Sequence, residues 1–201
     1  MADSQPAEFQ TADFDPVARS PIPVFGTTVV RDGWEVSQTP VHGDLRLADL
    51  TPWSKWLVHE PGDTGIDPVA MGRCTRVSAS KAALAYCTAP GETMLLGHTP
   101  PDPGDTAVDM THVRAVLRLS GDAAAQVLAK VCGLDLSDAM FATGSAGRTL
   151  VAHIAAEVVR DDDEGPSYLL VVSRSFAEHL HQVVLEAGQE FGITQVADQP
   201  L

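Results

Sequence analysis

The sequence predicts an α+β fold built from two related strand-helix-strand units. Three observations carry this expectation. Val113, Ala115, Leu117 and Leu119 alternate with His112, Arg114, Val116 and Arg118, the period-2 signature of a half-buried strand. A long apolar stripe at helical spacing closes the chain: Phe176, Leu180, Val183, Val184, Ala187 and Phe191. Between them, short β-prone runs recur, and Asp49-Leu-Thr51 before the Trp56–Val58 run returns sixty positions later as Asp109-Met-Thr111 before Val116–Leu119.

In chain order, residues 1–20 hold few large apolar groups and are expected to be a mobile tail. A single α+β domain is expected over 21–201, with halves at about 21–98 and 106–195. Val29 and Val30, the turn signal Asp32-Gly33 and Trp34-Glu35-Val36 predict a hairpin. Trp56-Leu57-Val58 is a third apolar run, and Ala82–Cys87 and Thr93–Gly97 read as strands joined by Ala89-Pro90-Gly91. Three prolines and a glycine make 99–105 a linker between the halves. Ser120-Gly121-Asp122 is read as a helix start, with Ala124, Val127, Leu128 and Val131 on one side. Thr149–Arg160 reads as one or two strands, Asp161–Pro166 as a polar turn and Tyr168–Val172 as a strand. Ser175-Phe-Ala-Glu178 fits a capping box for the last helix, and Gly192 its stop.

Charge narrows the function classes. Thirteen Lys and Arg against 27 Asp and Glu leave a net charge of −14, which repels nucleic-acid duplexes and anionic membrane surfaces. No apolar run reaches the roughly 18 residues of a membrane span. The acidic N-terminus lacks the order of a signal peptide, so a cytoplasmic setting is expected. Cys74, Cys87 and Cys132 stand far apart, without the spacing of a disulfide framework or a zinc ribbon.

No catalytic constellation assembles from the motifs. His179 and His181 diverge by about 200° on a helix and cannot share an ion, so no metal site is expected. Gly144-Ser-Ala-Gly147 lacks the lysine of a phosphate loop, and no Gly-x-Ser-x-Gly elbow occurs. Cys132 ends an apolar helix stripe and reads as a buried small residue. Asp161-Asp-Asp-Glu164 reads as a solvated hairpin tip. Trp53 and Trp56, flanked by Lys55 and His59, are candidate contact residues. Arg114, Lys130 and Arg174 are candidates for an acidic or carboxylate partner, and Asp109 is a candidate for a folate pteridine.

The segment Asp109-Met-Thr-His-Val-Arg-Ala-Val-Leu-Arg-Leu-Ser-Gly121 resembles the Asp-hydrophobic-Ser/Thr…Leu-x-Leu-x-Gly strand of the aminomethyltransferase (glycine-cleavage T-protein) superfamily. Val127-Leu-Ala-Lys-Val-Cys-Gly-Leu-Asp-Leu136, Phe141, Gly144, Thr149-Leu150 and Tyr168–Leu180 narrow the resemblance to the gamma subunit of heterotetrameric sarcosine oxidase. Pro90-Gly-Glu92 before Met94-Leu-Leu96 resembles that subunit's Gly-Pro-x-Glu-Trp-Leu-Leu strand, with Thr93 where tryptophan is usual. The resemblance spans roughly 45–192 and implies the fold of the T-protein's folate-binding domain. It implies a non-catalytic gamma subunit with no catalytic residues and no cofactor of its own. Partner alpha, beta and delta subunits would hold NAD, tetrahydrofolate, flavins (FAD and FMN) and zinc. The assembly would demethylate sarcosine or a related N-methyl amino acid oxidatively, giving glycine, hydrogen peroxide and methylenetetrahydrofolate. Two other functions fit the same residues: a stand-alone folate-binding one-carbon transferase using Asp109, and a ligand-free adaptor domain.

Overall fold

The computed structural model describes residues 16–38, 42–60, 67–77, 83–97 and 105–197. Three sheets organise these residues. The central sheet has six strands in the order β11-β12-β13-β10-β4-β14: β4 Arg46–Asp49, β10 Arg114–Ser120, β11 Ala146–Val151, β12 Ile154–Arg160, β13 Ser167–Ser173 and β14 Thr194–Val196. All its pairings are antiparallel except β14 with β4. A five-stranded sheet runs β6-β7-β8-β5-β9: β5 Lys55–His59, β6 Arg73–Arg76, β7 Leu84–Ala89, β8 Glu92–Leu96 and β9 Ala107–Asp109. The third sheet is small, with β1 Ala18–Arg19 and β2 Thr28–Arg31 flanking β3 Trp34–Ser37.

Side-chain alternation along β10 and β13 builds two cores at once. Ala115, Leu117, Leu119, Tyr168, Leu170 and Val172 face helices α1 (Ala124–Ala129) and α2 (Ala177–Gly188). Val116, Leu169 and Val171 face the other way, against Leu84, Tyr86, Met94 and Leu96 of the five-stranded sheet. The order of layers is therefore helices, six-stranded sheet, five-stranded sheet. The strand expected to be half-buried is covered on both faces: Val116 is fully buried, because a second sheet packs where solvent was expected. Val113 precedes the strand and is exposed.

The Asp-x-Thr repeat marks where the two halves interlock. Asp49 Oδ1 accepts the Thr51 N–H at 2.9 Å, and Asp109 Oδ1 accepts the Thr111 N–H at 2.8 Å. Each threonine hydroxyl then reaches across. Thr51 Oγ1 accepts the Val116 N–H at 3.3 Å, and Thr111 Oγ1 accepts the Lys55 N–H at 3.0 Å. The backbone repeats the exchange: Leu50 N–H donates to Val116 O, and Met110 N–H donates to Lys55 O, both at 2.8 Å. β4 pairs with β10 and β9 pairs with β5, so a strand from each half joins the other half's sheet. The helices are not duplicated: among the described residues all of them lie between 124 and 191, and the first half carries strands only. The strand-helix-strand form of the first unit is thus not seen.

Local expectations fare unevenly. The hairpin at Asp32-Gly33 forms, with both residues at positive φ (51° and 78°), and β7 turns into β8 through Pro90-Gly91. Thr149–Arg160 is two strands, but the hairpin begins at Ala146 and turns through Ala152 and His153 at positive φ. The short strands β6, β9 and β14 carry no clear alternation and are legible only from their pairing. The capping box does not form. A 3-10 turn at Arg174–Phe176 leads into α2, Ser175 sits inside that turn, and no side chain caps the helix. Gly192 does end the helical run, in the left-handed conformation at φ 69°. Of the expected tail, residues 1–15 lie outside the described residues, whereas Ala18–Arg19 pair with β3. The linker at 99–105 lies outside them too, except for Asp105.

Candidate functional site

Each residue singled out from sequence has a definite place, and the structure does not gather them into one patch. Trp53 packs against the cluster between the two large sheets, with the Arg118 guanidinium 5.3 Å from its ring centre. Trp56 packs against the outer cluster of Val58, Ala85 and Leu95, on the opposite face of the five-stranded sheet. Arg114 points inward and lies 3.6 Å from Glu157. Lys130 caps the end of α1, pairs with Glu190, donates to Ala187 O at 2.7 Å and covers the Phe191 ring at 4.7 Å. Arg174 donates to Arg19 O and lies 5.6 Å from the Trp34 ring, which stacks on His112 at 5.0 Å. Asp109 is exposed at the end of β9 and serves its own turn. The cations Arg114, Lys130 and Arg174 therefore tie elements of this chain to one another.

Two buried polar groups have a role that the sequence reading did not give them: Lys55, read only as a flank of the tryptophan pair, and Glu157. Lys55 is fully buried and donates to Thr51 O at 2.6 Å and Trp53 O at 2.7 Å. Burial lowers its ammonium from 10.5 to about 8, against the pull of the Asp49 carboxylate. Glu157 bridges the large sheets. Its carboxylate accepts the Tyr86 hydroxyl at 2.5 Å and Arg148 Nε at 3.2 Å. Burial first, and then this carboxylate, push the Tyr86 phenol well above its usual range. Neither residue announces itself in sequence, since a lone Lys or Glu in a strand reads as surface until the second sheet is in place.

The thiols are enclosed. Cys132 and Cys87 are buried, while half-buried Cys74 donates to Arg160 O at 3.4 Å. Burial, reinforced by the Asp161 charge, pushes the Cys74 thiol up to about 12, far from a nucleophile's range. On α2, His179 is exposed and His181 buried against Gln195 at 3.1 Å, so their rings point apart. Burial lowers the His181 pKa. Among the described residues no group of three or more His, Cys, Asp or Glu is placed to hold a metal ion, and no helix is long and apolar enough to cross a membrane.

One cavity of about 560 Å³ opens beside β4, β10 and β14. Ala48, Leu50 and Val196 form an apolar floor, Arg46 and Arg118 stand on it, and loop residues including Asp44, Asp122 and Glu164 rim it. None of Asp109, Trp53, Trp56, Arg114, Lys130 or Arg174 lines it.

No protein-family model matches the chain. It is 34% identical over 96 residues to the sarcosine oxidase subunit gamma of Corynebacterium sp. strain U-96, covering 48% of this chain and 45% of that relative. The corresponding subunit of strain P-1 gives 34% over 96 residues, 48% and 46%. The matched stretch thus spans less than half the length of either relative. Among solved structures, a chain of the heterotetrameric sarcosine oxidase from Corynebacterium sp. U-96, in complex with pyrrole 2-carboxylate, superposes with a TM-score of 0.64 at 26% identity. That match covers 78% of this chain and 90% of that one. The glycine cleavage system aminomethyltransferase T from Bartonella henselae gives 0.64 at 15% identity, covering 85% and 55%, a likeness of fold. The chain is thus similar to sarcosine oxidase gamma subunits over about half its length, and it has the mixed α+β fold of aminomethyltransferase T.

Proposed function

We propose that this chain is the non-catalytic, gamma-type subunit of a heterotetrameric flavin-dependent oxidase. The assembly demethylates sarcosine or a related N-methyl amino acid oxidatively, yielding glycine, hydrogen peroxide and methylenetetrahydrofolate. Alpha, beta and delta chains carry FAD, FMN, NAD, tetrahydrofolate and zinc, and the complex works in the cytoplasm. The observation that carries the reading is the superposition over 90% of a chain from a heterotetrameric sarcosine oxidase, joined to 34% identity with gamma subunits. The residues agree with it. The candidate cations are engaged in internal ties, and burial holds Cys74 as a thiol. The role left to the chain is to supply a rigid two-sheet surface on which larger chains assemble.

The alternative of a stand-alone folate-binding transferase needs an acidic residue facing a concave apolar pocket. Asp109 is exposed and away from the cavity, and no observation favours that reading. A peroxide assay tests the proposal. The purified chain with sarcosine and tetrahydrofolate is expected to release no hydrogen peroxide, and the assembly co-purified with its larger partners is expected to release it. Peroxide release by the isolated chain overturns the non-catalytic role.

A further inference from the structure

β14 is the shortest strand of the central sheet, three residues at its edge that pair on one side only, with β4. Its entry is fixed by a tight reversal. Gly188 approaches Ile193 so closely that an added Cβ would stand 2.7 Å from that side chain, and Ile193 N–H donates to Gly188 O at 3.3 Å. From Thr194 onward the strand depends on its ladder with β4, on Val196 in the core between the two large sheets and on one side-chain contact.

That contact ties the strand to the helix layer. His181, early in α2 and only 6% exposed, lies 3.1 Å from the Gln195 amide, Nε2 to Nε2. At this contact the amide N–H donates and the neutral imidazole accepts, so the ring carries its own proton on Nδ1. A second proton makes Nε2 a donor facing a donor. Turning the Gln195 amide restores the hydrogen bond but leaves a charge enclosed.

Three carboxylates lie around the ring, and none forms an ion pair with it among the described residues. Asp49 on β4 accepts the Thr51 N–H, Glu35 on β3 pairs with Arg19, and Glu178 on α2 is exposed. Burial outweighs the pull of Asp49 and Glu178, so the charged ring is the disfavoured form. Relief comes from admitting water, and the two elements that enclose the ring differ in hold. α2 is fastened by Ala177, Leu180 and Val184, all fully buried against the central sheet. The three-residue edge strand has far less to lose, so it is the part that yields.

We infer that β14 is a pH-sensitive strap, anchored at Ile193 and latched by the His181–Gln195 contact, that leaves the edge of β4 when His181 takes up a proton. Its departure bares β4 at Arg46–Ala48 and removes Val196 and Ala197 from the wall of the 560 Å³ cavity, opening that cavity on one side. The strap stands on the contacts of β14 and is independent of the subunit role proposed above. With the strand released the ring has its ordinary affinity of 6.5, and with the strand in place a lower one. Each pH unit down through that window therefore favours release by up to roughly tenfold.

Amide hydrogen exchange of the full 201-residue chain at pH 7.5 and pH 5.0, corrected for intrinsic rates, tests this. Protection of Thr194 and Val196 is expected to fall about tenfold at pH 5.0, while Leu170 in β13 and Leu180 in α2 keep theirs. His181→Gln keeps a hydrogen-bonding partner for Gln195 and does not titrate, so its protection at both positions is expected to be equal at the two pH values. If that variant fails to fold, the parent decides: its His181 ring, followed by NMR, is expected to titrate below 6.5. The strap is overturned if Thr194 and Val196 stay protected at pH 5.0, or if Leu170 loses protection equally. It is overturned as well if folded His181→Gln loses protection as the parent does, or if the His181 ring titrates at 6.5 or above.

Discussion

At the scale of single residues, the chain keeps several charged and polar groups where water does not reach, and their energetics are testable one at a time. Lys55 has a folded pKa near 8 against 10.5 when unfolded, so the unfolded chain binds the extra proton between those values. Stability therefore rises with pH across that window. Complete loss of the proton recovers about 3 kcal/mol, from roughly 1.4 kcal/mol per pKa unit. Denaturant unfolding between pH 7.5 and 10.5 is expected to show this rise in the parent and its absence in Lys55→Met; parallel pH profiles would contradict the burial account. Tyr86→Phe removes the hydroxyl that Glu157 accepts at 2.5 Å and leaves a buried carboxylate oxygen short of a donor. Its expected cost is about 2 kcal/mol, read from the shift in urea midpoint at unchanged slope. For Cys74, a thiol near 12 rather than 9.0 implies alkylation by iodoacetamide at pH 8 that is about a thousandfold slower in the folded chain than in the unfolded one.

Elements show why parts of this fold are legible in sequence and others are not. β10 stands out because most of it alternates, β13 because it is a compact run of β-prone residues, and α2 because its stripe is long. The hairpin at Asp32-Gly33 is legible because positive φ has a chemical signature, whereas Ala152-His153 makes the same kind of turn with residues that do not advertise it. The strands β6, β9 and β14 are only three or four residues long, and β9 and β14 owe their existence to partners far away in the chain. Arg114 reads as surface because nothing local reveals that a second sheet covers its strand. Arg46 and Arg118 likewise become neighbours only once β4 pairs with β10, which no local pattern announces. The Asp-x-Thr repeat is the exception: a three-residue signal that the structure turns into a reciprocal clasp. Thr51→Val and Thr111→Val keep the side-chain shape and delete the acceptors for Val116 N–H and Lys55 N–H. Each is expected to cost about 1 kcal/mol in urea unfolding, more at fully buried Thr51 than at Thr111. Equal stability of both variants and the parent would show that the clasp contributes nothing.

Across the whole molecule, three layers and two cores leave the chain able to stand as a rigid body whose surface is its asset. Its charged groups face one another across element boundaries, as Lys130 does with Glu190 and Arg160 with Asp138 and Asp162. Val108, Val113, Met140, Leu150 and Phe176 leave apolar side chains exposed at the surface, where the proposed subunit role needs contacts. Native mass spectrometry of the chain co-expressed with the genes beside its own tests the central claim most directly. The account predicts a single assembly in which this chain travels with larger, flavin-carrying chains. A chain that runs at its own mass, beside an oxidase that assembles fully without it, would contradict the account.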